Sequence, residues 1–190
     1  IQKNLSMGIP VVEMNLTEDE KEYVYDLWLL TSKKRMFVLN CKEGLESEKI
    51  EQWKKALEEK TKDLVITADV KLIGEIEDEN EYAELLGYVP KSVKDIIKGA
   101  YDALNLITFY TGSEKECNAW TIEKGANVKE AAGVIHTDLE QNFITADVVK
   151  LDDMLNANGW VKAKEQGLVK NHGKDYIVED GDYIIILANK

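Results

Sequence analysis

Arginine is almost absent from these 190 residues: Arg35 stands alone, so nearly all the positive charge is lysine. Lysine meets phosphate as a point charge and lacks the planar fork that gives arginine its geometric selectivity. The formal net charge of -12 works the same way, because such a surface repels phosphate wherever no local basic patch offsets it. Broad nucleic-acid affinity is excluded, and no DNA partner is expected. Cysteine is scarce too. Cys41 and Cys117 lie far apart in no metal or redox spacing, and they read as two reduced thiols of a cytoplasmic protein. No apolar run approaches the roughly 20 residues needed to span a bilayer, so no membrane partner is expected. Ile1-Gln2-Lys3-Asn4 has neither an initiator Met nor a basic-then-apolar leader, and the expectation is a chain that begins within a longer protein. The histidines, His136 and His172, have no Ser or Cys nucleophile at a useful spacing. His136 is placed to bond the closing carbonyls of the helix before it, and His172 to sit exposed in a polar turn.

Proline occurs twice, and both positions mark breaks. Gly8-Ile9-Pro10 interrupts an opening stretch without period, and Pro90 separates helical segments at 79–86 and 93–104, since proline cannot donate and disfavours helix in the residue before it. What is present falls into two blocks. Thr17-Glu18-Asp19-Glu20 is a capping box that starts a helix with Tyr23, Leu27 and Leu30 at helical spacing and Trp28 beside them. Residues 35–40, Arg-Met-Phe-Val-Leu-Asn, read as a strand buried on both faces. Ser47 is a candidate N-cap for a helix with Ile50, Trp53 and Leu57 on one face, and Leu64-Val65-Ile66-Thr67 is a second buried strand. Strand, helix, strand at this spacing is a βαβ unit with parallel strands. The acidic run from Glu75 to Glu84 reads as a solvated helical face. Val93, Ile96, Ile97, Ala100, Tyr101 and Leu104 form a stripe expected to face a core.

Near Asn105 the period changes from 3.6 to strand-like. Ile107–Tyr110 and Cys117–Ile122 read as strands, Val128–Ile135 as a short helix, and Phe143–Val149 as a half-exposed strand. Asp152 to Asn156 suits another helical turn, its acids favoured by the helix dipole. Tyr176-Ile177-Val178, the Glu179-Asp180-Gly181-Asp182 turn and Tyr183–Leu187 read as a closing hairpin. Strands with one packed helix suggest a β-grasp, ubiquitin-like domain.

Asn40-Cys41-Lys42-Glu43 carries the chemistry. It lies at the C-terminal end of a strand, where open α/β sheets bind ligands, and an Asn amide both donates and accepts, as gripping a purine edge requires. A Walker A loop needs Gly-x-x-x-x-Gly-Lys-Ser/Thr. The nearest string, Gly167 to Asp175, has one residue too many between its glycines and places Asp175 where the metal-binding hydroxyl should be.

Ala119-Trp120-Thr121-Ile122, Ala131-Ala132-Gly133-Val134-Ile135-His136-Thr137-Asp138 and Gly173 to Asp182 together resemble, in order and wording, the TGS domain that ends the Obg-like ATPase (YchF) family of P-loop nucleotide hydrolases. Asn40-x-x-Glu43 is similar to the Asn-x-x-Glu that this family carries in place of the guanine-reading Asn-Lys-x-Asp. The resemblance implies a partial P-loop-type parallel sheet followed by an α+β β-grasp TGS domain. Residues 1–25 would end a helical insertion, 26–105 would be the second half of a nucleotide-binding domain, and 106–190 the TGS domain. It implies ATP hydrolysis, with GTP used less well, and Mg²⁺ held by residues upstream of this chain. Asn40, Cys41, Glu43, Thr67 and Ala68 would hold the base, Glu43 shifting preference toward ATP and the small Thr67-Ala68 pair letting the backbone approach. No catalytic residue is expected here. The TGS block implies ribosome or RNA contact. Yet Asn118 and Thr145 stand where the family commonly has arginine, and only Lys162, Lys164, Lys170 and Lys174 gather into a basic patch. A stand-alone β-grasp module docking on RNA, ribosome or protein without catalysis is the alternative.

Overall fold

The computed structural model describes residues 1–41, 47–71, 93–113 and 116–189. Its contacts divide the chain into two compact units, Ile1–Ala103 and Leu104–Lys190.

The first unit opens with α1 (Gln2–Ser6), a 3₁₀ turn at Val11–Glu13 and α2 (Glu18–Tyr25). The capping box forms: the Thr17 hydroxyl accepts from the Glu20 amide at 3.3 Å, and the Glu20 carboxylate accepts from the Thr17 amide at 2.9 Å. The helix is shorter than its apolar spacing predicts. It stops at Tyr25, Trp28 turns to φ 49°, and Leu30–Ser32 is a separate 3₁₀ turn. Leu27 and Leu30 thereby lose their helical phase with Tyr23; these three and Trp28 are 61–86% exposed, while Val24 is buried.

β1 (Met36–Asn40) and β2 (Leu64–Ala68) pair in parallel from Met36↔Leu64 to Asn40↔Ala68, linked through α3 (Ser47–Thr61). β2 buries Val65, Ile66 and Ala68, but β1 is not buried on both faces as expected; Val38 is exposed and its neighbours are half covered. Among the described residues β1 has a strand on one side only. Arg35, just before β1, joins Glu13 and Asp63 through Nη2, each at 2.8 Å, and so pins the 3₁₀ turn to the strand starts.

On α3, Ile50 and Leu57 are half-buried but Trp53 is exposed. In α4 (Val93–Leu104) the predicted stripe also misplaces the contact face, since Val93, Ile97 and Leu104 are exposed and Gly99 is the buried residue. A Cβ there would collide with Ile66 and crowd the Met36 sulfur. The helix backbone therefore lies against the sheet, and its half-buried flanks are Ile96, Ala100 and Ala103. The expected 79–86 helix, the acidic face at 75–84, Pro90 and the Ser47 cap lie outside what is described.

The second unit is a five-stranded mixed sheet ordered β4-β3-β7-β5-β6. Its elements are β3 (Leu106–Gly112), β4 (Cys117–Glu123), α5 (Val128–Ile135), α6 (Thr137–Gln141), β5 (Phe143–Lys150), α7 (Leu151–Asn156), α8 (Trp160–Glu165), β6 (Lys170–His172) and β7 (Asp182–Ala188). Ile107, Phe109, Ile122, Val148 and Ile184 line one face and bury against Val128 and Ala131 of α5. Val149 and Tyr183 on the other pack with Ala157, Ala163 and Trp160. α5 starts on a second capping box, Asn127 to Glu130. Asn127 Oδ1 accepts from the Lys129 and Glu130 amides at 3.0 Å, and Glu130 Oε2 accepts from the Asn127 amide at 2.7 Å.

The predicted closing hairpin does not form. Residues 176–178 instead bond the segment before α5: the Val178 amide donates to Ala126 and the Val128 amide to Tyr176. Asp182, 1% exposed, holds the intervening turn by accepting from the Glu179 amide and the Tyr176 hydroxyl. β7 then leaves this turn to run parallel to β3 and antiparallel to β5. His136 bonds the closing carbonyl of Ala132 through its amide at 3.0 Å, as expected, while its side chain turns to the next helix and His172 differs from expectation. His136 Nδ1 accepts from the Asp138 amide at 3.1 Å and so caps the start of α6. His172 closes β6, half-buried against the Tyr176 ring at 4.1 Å between centroids.

Candidate functional site

The parallel register brings Asn40 opposite Ala68, so the predicted residues Asn40, Cys41, Thr67 and Ala68 gather where both strands end. The Cys41 amide donates to the Ala68 carbonyl at 2.9 Å and carries the ladder one residue past β1. Asn40 is exposed, and its Oδ1 accepts from the Val70 amide at 3.2 Å. That bond orients the carboxamide: the oxygen is committed to the turn after β2, and the NH₂ is the end left to donate. Asp69 folds the same turn, its Oδ1 accepting from the Lys71 amide at 3.1 Å. Thr67 is half-buried and Ala68 buried. The Cys41 thiol points inward. Burial pushes its pKa up, and the Asp69 carboxylate adds to the effect, so this residue offers the site its backbone. Glu43 lies outside the described residues.

Mg²⁺ keeps several waters and takes one or two carboxylates together with substrate phosphates; the one described carboxylate at these strand ends, Asp69, is engaged with the Lys71 amide. Among the described residues, no group of three or more His, Cys, Asp or Glu side chains could hold a metal ion. The string from Gly167 to Asp175 runs through β6 and its flanking turns, away from any strand-to-helix junction that could cradle phosphate.

In the second unit, Lys162 and Lys164 stand on α8, Lys170 on β6 and Lys174 in the turn after it. Lys164 lies 3.7 Å from the Asp147 carboxylate, so the patch is partly neutralised. Thr145 Oγ1 accepts from the Asn171 side-chain NH₂ at 3.2 Å, and Asn118 is exposed near the start of β4. Neither adds positive charge. A polar cluster that sequence reasoning missed surrounds Asp182, whose Oδ1 lies 2.8 Å from Lys150 Nζ; Glu179 also meets that ammonium at 2.8 Å. Its only signal in the sequence was the Glu-Asp-Gly-Asp turn. Among the described residues no helix is long and apolar enough to cross a membrane.

A family model, YchF-GTPase_C, described as "Protein of unknown function (DUF933)", matches residues 106–189. The Ribosome-binding ATPase YchF of Bacillus subtilis (strain 168) is 36% identical over 186 residues, covering 92% of this chain and 50% of the relative. The protein of the same name from Escherichia coli O157:H7 is 35% identical over 182 residues, covering 93% and 50%. The solved Schizosaccharomyces pombe YchF GTPase superposes with a TM-score of 0.73 at 28% identity, covering 98% of this chain and 52% of that one. The chain spans about half the length of the curated relatives it matches.

Proposed function

Given that the chain belongs to the YchF family and corresponds to a C-terminal part of its members, we propose that it supplies the base-reading edge of a nucleotide site and a regulatory TGS domain. The intact protein would hydrolyse ATP and bind the ribosome, in line with the relatives' names; weaker use of GTP and a cytoplasmic location belong to the same proposal. Asn40 carries this reading. Its NH₂, fixed by the Val70 bond, would donate to N7, an acceptor that adenine and guanine share. That contact holds a purine without choosing between the two. The choice would fall to Glu43, a carboxylate that accepts only and would meet adenine's N6 amino group, where guanine presents the O6 acceptor. Thr67, Ala68 and the Cys41 backbone would floor the pocket. The triphosphate and its Mg²⁺, which would neutralise the phosphate charge when bound, would be held by the portion of the family's length that this chain does not match.

For the second unit, the sheet order β4-β3-β7-β5-β6 with its first and last strands parallel at the centre, and α5 packed across one face, supports a β-grasp TGS assignment. Its weak positive charge favours ribosome contact through protein or shape over sequence-selective RNA reading.

Calorimetric titration of ATP and GTP tests the division of labour. The 190-residue chain should show neither tight nucleotide binding nor turnover. The same residues within a polypeptide of the relatives' full length should bind ATP, and lose it on Asn40→Ala. Robust hydrolysis by this chain alone would contradict the assignment.

A further inference from the structure

The face of the second unit's sheet that carries α7 and α8 holds a half-open cleft of about 630 Å³. β3 and β7 are in register at one pair only, Tyr110↔Tyr183, and no ladder joins them beyond it. Gly112 at the end of β3 lines one side of the cleft, and half-buried Met154, Trp160 and Ile185 wall the rest. Apolar walls with a few polar groups are the makeup of a small-molecule site. Tyr183 lines it too, 7% exposed, its ring 5.6 Å from that of Trp160 between centroids. The Tyr183 hydroxyl lies 3.0 Å from where a Cβ on Gly112 would stand, and among the described residues it makes no hydrogen bond. A buried hydroxyl left without a partner is costly, and this one faces the space that glycine leaves. Two opposite charges mark the mouth. Lys162 and Glu165 line it three residues apart on α8, a spacing at which such pairs commonly meet. Among the described residues they pair neither with each other nor with another charge, whereas Lys164 reaches Asp147.

We propose that this cleft binds an aromatic amino acid as its zwitterion. The carboxylate would face Lys162 and the ammonium Glu165, while the ring would lie against Trp160 and Met154. An oxygen at the far end of the ring would accept from the Tyr183 hydroxyl. Charge selects among the alternatives. A simple anion would be repelled by Glu165 and a simple cation by Lys162, while a purely apolar body would leave the hydroxyl unpaired. The site lies wholly within the second unit.

The test titrates L-tyrosine into the 190-residue chain, with ¹⁵N amide shifts locating the site. Saturation is expected with a Kd on the order of 100 µM, ordinary for a ligand of this size, with shifts at Gly112, Gly159 and Lys162. L-Phenylalanine, which lacks the ring oxygen, should bind roughly three- to tenfold more weakly, and Tyr183→Phe should erase that difference. The same variant should keep its Tm or raise it, because no bond within the protein is lost. Tyramine and hydroxyphenylpropionate, each missing one charge, should bind roughly two- to fivefold more weakly than L-tyrosine. Lys162→Gln should weaken L-tyrosine but spare tyramine, and Glu165→Gln should weaken L-tyrosine but spare hydroxyphenylpropionate. The proposal is overturned if L-tyrosine does not saturate, if the shifts fall on other residues, or if L-phenylalanine or either single-charge analogue binds as tightly. A lowered Tm for Tyr183→Phe would overturn it as well, by showing the hydroxyl bonded inside the fold.

Discussion

Asn40 and Val70 are joined across the ends of two parallel strands, the side-chain oxygen of one accepting from the backbone amide of the other at 3.2 Å. The bond makes the carboxamide a donor toward solvent while it stitches the β2 exit to β1. These two jobs use different atoms, so they can be separated.

Asn40→Asp keeps the acceptor and removes the donor, whereas Asn40→Ala removes both. In a full-length context both should weaken nucleotide binding roughly 10- to 100-fold, because a ring acceptor is left without its bond. Only Asn40→Ala should also lower unfolding stability, by about 0.5–1.5 kcal/mol. Calorimetry and urea melts would check the split, and identical behaviour of the two variants in both assays would refute it.

Gly99→Ala sets helix propensity against packing. Alanine is favoured over glycine in a helix by up to about 1 kcal/mol. Here the added methyl meets Ile66 and Met36 of the sheet, and overpacking of that kind costs about 1–3 kcal/mol. Net destabilisation is expected in a denaturant titration. A more stable variant would mean that the helix stands off the sheet.

The Asp182 cluster predicts an alkaline limit. Burial, then the hydrogen bond to Asp182, pushes the Tyr176 phenol well above its ordinary 10.0. Burial pulls the Lys150 ammonium down, but its bonds to Asp182 and Glu179 outweigh this and raise it. Above pH 10 the unfolded chain therefore binds fewer protons than the folded one, so stability falls as pH rises further. Tyr176→Phe should flatten that fall. It should also cost about 1.5–3 kcal/mol at neutral pH, the worth of a hydrogen bond to a charged partner. Melts from pH 7 to 11 would show both effects, and an unchanged alkaline slope would count against the phenol's role.

The two thiols should separate in time. Cys117 is exposed, while Cys41 is buried with its pKa raised, and the thiolate is the reactive form. A colorimetric disulfide reagent should titrate one thiol quickly in the folded chain and the second only with denaturant. Two equally fast thiols would place Cys41 at the surface.

The parallel βαβ unit, the Thr17 box and α5 could be read from local chemistry because each rests on a short pattern satisfied within its own segment. The apolar stripe of α4 misled for a physical reason. Periodicity counts bulky side chains, and the closest approach here is made where there is none, at Gly99. Periodicity misled again at residues 176–178, where apolar content suggested a hairpin strand. A buried carboxylate from nearby Asp182 and backbone bonds to the distant Ala126 and Val128 decided that conformation, and distant backbone partners leave no spacing in the sequence. At the candidate site, Asn40's position was legible from the strand-end motif. Its bond to Val70 was not, since thirty residues separate the two.

With β7 set between β3 and β5, the β3–β4 hairpin and the β5–β6 pair share no ladder of their own. During synthesis both can form early, yet they stay unjoined until residues 182–188 emerge. Closure by so distant a segment is slow. A nascent chain paused just short of Asp182 would present Phe109 and Val148 to the chaperones around the exit tunnel, as two half-sheets waiting for one strand.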